Sequence, residues 1–364
     1  MKAAVMFEVG KPLEICEVDV DEPMPHEVIV DVKASGLCHS DLHTMNTDFG
    51  WPMPLVLGHE VAGVVSTAGR EVTEVKVGDH VVANLISSCG RCSHCLRGIP
   101  TNCTDPGAIR RGPGSRPRYS IDGARVSQIG DIGGFAEKIL VHERNLVPVD
   151  SSIPFDRAAL LGCGVITGVG AVKNAAGVKF GDSVAVIGCG GVGLNVVQGA
   201  AISGASHVIA VDLQPAKLEL ARRFGATEVV NPADEADLAA RVREIVDSGG
   251  VDYAFEVVGL RQTVQQAIDM TDTGGSTYVV GKMKPGTSAA LSSGDLLRSN
   301  KKLSGVYMGA TVAGVDIPLY AQLYQQGRLN LDDLVSETIS IEDINEGYAK
   351  LDKGETARSV VVFD

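Results

Sequence analysis

Eight cysteines stand at positions 16, 38, 89, 92, 95, 103, 163 and 189, and four of them fall within fifteen residues. Cys89, Cys92, Cys95 and Cys103 read C-x2-C-x2-C-x7-C. Four thiolates brought together by tight turns can close a tetrahedral zinc site with no open position, a metal that holds structure. Four clustered thiolates also suit an iron–sulfur cluster. His94, between the ligands, is expected to face solvent. Three more segments carry ligating types: Gly36-Leu37-Cys38-His39-Ser40-Asp41-Leu42-His43, Gly58-His59-Glu60 and Gly162-Cys163-Gly164. Each is a weak signal alone, because a single buried Cys behaves as a small hydrophobe. Taken together, Cys38, His59 and Cys163 make a Cys2His set, which leaves the fourth position of a zinc open to water or an alcohol. That is the donor set of a catalytic metal.

A second chemistry lies in Gly188-Cys189-Gly190-Gly191-Val192-Gly193, which fits G-x-G-x-x-G, follows the apolar run SVAVI and opens the stretch LNVVQGAA. The first glycine allows the tight turn, the second lets the backbone approach a pyrophosphate, and the third lets helix and strand pack closely. The pyrophosphate would sit on the helix N-terminus, where free N–H groups and the dipole favour an anion. Asp212 ends the next strand, HVIAVD, where a carboxylate accepts from a ribose 2′-OH and repels a 2′-phosphate. NAD is therefore expected over NADP. Cys189 is expected to contribute only its backbone.

These residues need two kinds of scaffold. A chain of 364 residues, 45% hydrophobic, suggests two domains. To about residue 160, short β-rich runs (28–32, 61–66 and 80–83) alternate with Gly, Pro and Asp turns. From Asp182 the strands SVAVIG, HVIAVD, EVVN, YAFEVVG and STYVVG alternate with helical GLNVVQGAAIS, AKLELARRFG and DLAARVREIVD, the pattern of a doubly wound parallel sheet. The fold class is α/β. After about residue 308, PLYAQLYQQG and RSVVVF are too little for a domain and are expected to fold back onto the first. The stretch 104–134, rich in Arg, Gly and Pro, is expected to be one long loop.

The net charge of −13 and pI near 5.1, with no basic stripe, disfavour a nucleic-acid partner. The N-terminus is too short and too charged for a signal peptide, and no apolar run approaches the roughly 20 residues of a membrane span, so a soluble cytoplasmic protein without a membrane partner is expected.

The order GLCHSDLH, GHE, the four-cysteine lobe, LLGCGVITG, GCGGVG with Asp212, and ARSVVVF resembles the zinc-containing medium-chain alcohol dehydrogenases over essentially the whole chain. Within that family it is similar to the group spanning class I, class III and the nitrosoaniline- or mycothiol-dependent bacterial enzymes. The resemblance implies a GroES-like catalytic domain, 1–164 completed by 308–364, a Rossmann coenzyme domain over 165–307, zinc at both sites, NAD, and a homo-oligomer, preferably a dimer. It implies that Glu60 can approach the catalytic metal, that Asp41 orients His59, and that Ser40 and His43 relay the alcohol proton by way of the coenzyme ribose. It places Thr167 near the nicotinamide, Lys217 at the ribose and Arg358 on the pyrophosphate. His39 stands where class I enzymes often carry Arg on the pyrophosphate, which should loosen the coenzyme. Leu85 aligns with a pocket position, and Phe49 and Trp51 fall in a pocket-lining segment. Arg110, Arg111, Arg116 and Arg118 are expected to be solvated, the alternative being a seat for an anionic thiol adduct. The chemistry implied is reversible hydride transfer between a primary alcohol and NAD. The rival readings are oxidation of a formaldehyde–thiol adduct and a non-catalytic NAD-binding protein.

Overall fold

A computed structural model describes every residue except 113, 285, 290 and 291, together with the side chain of 296. The chain forms two compact units, Met1–Gly164 with Val312–Asp364, and Val165–Thr311.

The first unit is built on the strand Glu27–Gly36, whose valines 28, 30 and 32 are buried. Val61, Val65, Val81, Ile139 and Val141 complete the same core, the alternation expected of a sheet with one covered face. Antiparallel partners Glu60–Ala68 and Lys138–His142 flank this strand. The chain's last strand, Ser359–Val362, also pairs with it, Val360 opposite Gly36, so the C-terminal segment is part of this sheet. The segment rejoins the first unit at Val312, not at 308. Residues 308–311 stay with the second unit because Thr311 Oγ1 donates to Ile166 O at 3.1 Å, and a Cβ at Gly309 would collide with Ile166 O.

The stretch 104–134 is not one loop. It holds a hairpin, Tyr119–Ile121 with Ala124–Gln128, whose turn runs through Asp122 and Gly123, both with positive φ. Alternation is too short in these strands to be read against the flanking Arg, Gly and Pro.

The second unit is a six-stranded parallel sheet in the order Glu228–Val230, His207–Val211, Ser183–Ile187, Val251–Glu256, Thr271–Val279, Lys302–Gly305. The order reverses between Ser183–Ile187 and Val251–Glu256, which opens the crevice where doubly wound sheets bind ligands. Five strands match the apolar runs of the sequence; the sixth, KLSG, is an edge strand too polar to announce itself.

Among the described residues one helical stretch, Phe155–Ala176, is long and apolar enough to cross a membrane, contrary to expectation. Its apolar window is 78% buried within the protein, the mark of a core helix.

Candidate active site

Three separate elements supply one cluster. Cys38 caps the short helix His39–Asn46 directly after the central strand. His59 and Glu60 begin the neighbouring strand, and Gly58 before them has φ +87° with its α-carbon against Phe135, so that any Cβ there would lie 2.7 Å from Phe135 N. Glu60 is in register with Gly36, where a Cβ would meet Glu60 Oε2 at 2.5 Å. The glycine makes room for the carboxylate. Cys163 sits in a π-helical turn, Leu161–Val165, a conformation often found at functional sites. One ligand atom from each of Cys38, His59, Glu60 and Cys163 lies within 4.8 Å of the others, and all four residues are buried.

Electrostatics explain how such a cluster is tolerated. Asp41, fully buried, holds His59 Nδ1 at 3.1–3.2 Å and accepts from Gly58 N at 3.3 Å. That contact fixes the tautomer and leaves Nε2 as the ligating nitrogen. Burial opposes charge on His59, but Asp41 and Cys38 outweigh it and push the imidazole well above its usual range. A hydrogen bond from Cys163 and the charge of His59 hold Cys38 well below the usual thiol range; Cys163, sharing that bond and buried, is pushed well above it. Burial raises Glu60 to about 7 against the pull of Arg358, whose Nε lies 3.3 Å away. Two thiols, one of them acidified, an imidazole and a carboxylate converging within 4.8 Å are the donors from which a divalent cation displaces protons, so the residues fit a zinc.

Ser40 Oγ lies 3.3 Å from both Cys38 Sγ and His59 Nε2, on the ligating side of the ring. His43 is half-buried on the same helix, three residues on and hence on the same face. His39 is exposed at the helix start. Phe49 and Trp51 are half-buried, Trp51 against the cluster that contains Leu42 and Met45. Leu85 instead packs against the valine core of the central sheet. Arg358, held by Glu60 through Nε and by Ala357 O through Nη1, is a member of the metal cluster's surroundings that sequence placed only on the coenzyme.

The second cluster, Cys89, Cys92, Cys95 and Cys103, also gathers within 4.8 Å. Cys92 Sγ is 3.5 Å from Cys95 Sγ and 3.9 Å from Cys103 Sγ, too far for disulfides and close to the ~3.8 Å edge of a tetrahedron with ~2.3 Å zinc–sulfur bonds. One ion fits that spacing; a multi-iron cluster would hold its four sulfurs farther apart. Backbone N–H groups of Cys89, Cys92 and Asp105 point at these sulfurs. His94 is half-buried with Nδ1 enclosed, not solvent-facing.

In the second unit, Gly188 has φ +97°, as the tight turn requires. Gly193 leaves no room for a Cβ, which would press on the carbonyl of Gly188. Gly190, the N-cap of helix Gly191–Ile202, has open space around it. Val192 is half-buried in the first turn of that helix. Asp212 accepts from Cys189 N at 2.8 Å and Gln214 N at 2.9 Å, so the carboxylate is pinned beside the turn. Lys217, half-buried, lies on the following helix, Pro215–Arg223. Thr167 is buried with Oγ1 3.7 Å from Met308 Sδ. Glu256, unread in the sequence, ends the strand beside the turn and accepts from Val258 N, Gly259 N and Thr263 Oγ1.

Two of the loop arginines, Arg110 and Arg116, are solvated as expected, and two are not. Arg111 and Arg118 are buried and pair with Glu27 at 2.6 and 2.8 Å; Arg111 also reaches Asp21 at 2.6 Å. Arg110 grips Asp131 and Arg116 pairs with Asp21. Buried charges must be paired, and Asp21 and Glu27, far earlier in the chain, pair Arg111 and Arg118.

The alcohol dehydrogenase GroES-like domain family matches residues 24–151 and the zinc-binding dehydrogenase family residues 191–324. The NDMA-dependent alcohol dehydrogenase of Amycolatopsis methanolica is 39% identical over 99% of this chain and 98% of its own. The S-(hydroxymethyl)glutathione dehydrogenase of Synechocystis sp. is 36% identical over 100% and 99%. The crystal structure of benzyl alcohol dehydrogenase from Acinetobacter calcoaceticus superposes with TM-score 0.92 at 35% identity, covering 100% of this chain and 99% of that one. The chain belongs to the zinc-containing medium-chain alcohol dehydrogenases. It is accordingly an NAD-dependent zinc oxidoreductase with a GroES-like and a Rossmann portion.

Proposed function

We propose that this enzyme oxidises free primary alcohols, aromatic, allylic or of medium chain length, reversibly to aldehydes. The observation that carries the reading is the cluster of Cys38, His59 and Cys163 with Ser40 Oγ 3.3 Å from His59 Nε2. Three protein donors leave one position for substrate oxygen, with a hydroxyl already beside it. When bound, zinc supplies the Lewis acidity that lowers an alcohol's pKa, and NAD the hydride acceptor. Ser40 takes the alcohol proton at Oγ, and His43, on the same helix face, passes it to the surface. Asp41 keeps His59 oriented, and Glu60, held back by Arg358, is the carboxylate that approaches the metal during ligand exchange. Phe49 and Trp51 offer apolar surface to the substrate; Leu85 contributes from behind the sheet core. On the coenzyme, Gly188, Gly190, Gly191, Val192 and Gly193 form the pyrophosphate turn, Asp212 and Lys217 take the adenosine ribose, His39 and Arg358 approach the pyrophosphate, and Thr167 packs near the nicotinamide. The working unit is a cytoplasmic homodimer, a reading supported by the thiolate-rich lobe, which suits a reducing compartment.

The thiol-adduct reading is disfavoured by the loop arginines, since the adduct of an acidic thiol needs a cation to receive it and Arg110, Arg111, Arg116 and Arg118 are each paired with a carboxylate. The test is NADH formation at 340 nm on metal-replete protein with benzylic, allylic and aliphatic alcohols, and with formaldehyde in the presence or absence of glutathione or mycothiol. A rate with free alcohols that disappears in Cys38→Ser supports the proposal. A rate with formaldehyde and thiol alone replaces it. Turnover only with nitrosodimethylaniline as acceptor would mean that the coenzyme stays bound between cycles. No turnover under any of these conditions would leave the non-catalytic reading.

A further inference from the structure

We propose that Asp131 is a positioning residue that governs which alcohols are accepted, by fixing, through Ser87 and the adjoining Gly130, where the side chain of Leu85 ends. The inference rests on the reading that the enzyme oxidises free alcohols in a pocket that Leu85 helps to form.

The strand His80–Ala83 ends against the turn that carries the metal ligand Cys163, since a Cβ at Gly162 would collide with Ala83 O. Residues 84–88 leave the strand at that point, so what sets their course sets the wall beside Cys163. Asn84, fully buried, fixes the start: its Nδ2 donates to Asn145 O at 3.1 Å and its Oδ1 accepts from Ile86 N at 3.0 Å. Ser87 N donates to Leu85 O at 2.8 Å and closes the turn over Leu85. The backbone of Leu85 is thereby held, while its half-buried side chain needs a separate stop.

That stop is the turn Ile129–Asp131. The three atoms nearest to a Cβ added at Gly130 all belong to Leu85, with Cδ2 in collision and Cγ at 3.5 Å, so the leucine lies across the glycine. Gly130 and Asp131 both take the left-handed conformation, at φ +57° and +63°. Glycine does so freely; aspartate visits that region only as a single residue and at a cost. Such residues persist where their surroundings over-determine them, and they cluster at sites that contact ligands. Here Asp131 Oδ2 accepts from Ser87 Oγ at 3.1 Å, and both carboxylate oxygens accept from Arg110 Nε at 2.9 Å. Arg110 is half-exposed, so its ion pair adds little, and the bond to Ser87 is the one that joins the two turns. A turn needed for the fold alone is better served by glycine at 131, which lacks strain. What glycine lacks is the carboxylate that ties Ser87, and with it Leu85, to Gly130.

The experiment measures kcat/KM for benzyl alcohol and for 1-propanol in wild type, Asp131→Gly, Ser87→Ala and Leu85→Ala, beside thermal unfolding followed by circular dichroism. One methylene in a pocket is worth about 10- to 200-fold in discrimination, and a leucine end freed by part of that length should change the ratio of the two values about fivefold in Asp131→Gly. Ser87→Ala, which leaves Asp131 and Arg110 in place, should change it by a smaller factor, and both in the direction of Leu85→Ala. A role in stability alone would shift the unfolding midpoint and leave the ratio as in wild type. An unchanged ratio in either Asp131→Gly or Ser87→Ala, or a change opposite to that of Leu85→Ala, overturns the proposal. An unchanged ratio in Leu85→Ala also overturns it, by taking Leu85 off the substrate, and leaves the free-alcohol reading standing. If wild type oxidises neither alcohol, the functional reading falls as well.

Discussion

Replacing Gly190 and Gly193 by alanine, one at a time, separates what the nucleotide turn needs in order to fold from what it needs in order to bind. At Gly193 a Cβ would lie 2.8 Å from Gly188 C and closer still to its oxygen, against ordinary contacts of 3.4–4 Å. The turn must open by at least about 0.6 Å, and by more at the oxygen. That displacement carries the N–H groups at the start of Gly191–Ile202 out of hydrogen-bonding range of a pyrophosphate. Losing two charge-assisted hydrogen bonds at about 1.5–3 kcal/mol each corresponds to roughly 10²- to 10⁴-fold in coenzyme affinity. Gly190 is the opposite case. Its φ of −78° and ψ of −171° suit alanine, and nothing lies within 4 Å of the added methyl. Gly190→Ala should therefore fold with stability within about 1 kcal/mol of wild type, since alanine's lower unfolded-state entropy offsets its poorer capping. Its only defect should be a methyl group where the pyrophosphate approaches, weakening NADH at least about tenfold. Fluorescence titration with NADH, beside thermal unfolding followed by circular dichroism, measures both quantities. Wild-type NADH affinity in Gly190→Ala would refute the placement of the pyrophosphate on this turn. Wild-type affinity and stability in Gly193→Ala would refute the steric argument.

Asp41→Asn keeps the shape but not the charge beside His59, and should weaken catalytic zinc retention about 10- to 100-fold while the four-cysteine zinc stays, measured by metal analysis after dialysis against a chelator. Cys92→Ser should release the other zinc and make the 89–103 lobe protease-sensitive while Cys38, His59 and Cys163 still bind metal; intact proteolytic resistance would count against a structural ion. Burial alone would raise Glu27, but the hydrogen bonds of Arg111 and the charge of Arg118 hold it below its ordinary value of 4.5. Its folded pKa is thus depressed, so its contribution is present above the unfolded value and fades as pH falls below about 4.5 and through the folded pKa. Glu27→Gln should cost about 3 kcal/mol at neutral pH, by stranding buried Arg118 and leaving Arg111 with Asp21 alone, and should flatten the loss of stability below pH 4.5 in urea titrations; an unchanged acid slope would remove Glu27 from the account.

The parts of this protein that were legible in its sequence are those where chemistry and backbone make the same local demand. The four-cysteine lobe lies within one short segment, and Gly188, Gly190 and Gly193 must each be glycine for a reason visible within six residues. In the second unit Ser183–Ile187 and His207–Val211 are buried along almost their whole length and so are continuously apolar, whereas the edge strand Glu228–Val230 and the longer Thr271–Val279 are only partly covered. What stayed hidden depends on partners distant along the chain. Glu27 and Arg118 read separately as surface charges; only the hairpin over 119–128 brings them together at 2.8 Å. Arg358 meets Glu60 because the final strand enters the sheet beside Gly36, a register that no local pattern specifies. The catalytic cluster lies between these extremes. Its ligands are recognisable by type, but Cys38, His59 and Cys163 become one site only because Gly36 and Gly58 leave space for Glu60 and Phe135 as the strands close around them. Gly36→Ala should accordingly disturb the metal site by pressing on Glu60, with Cys38, His59 and Cys163 all retained.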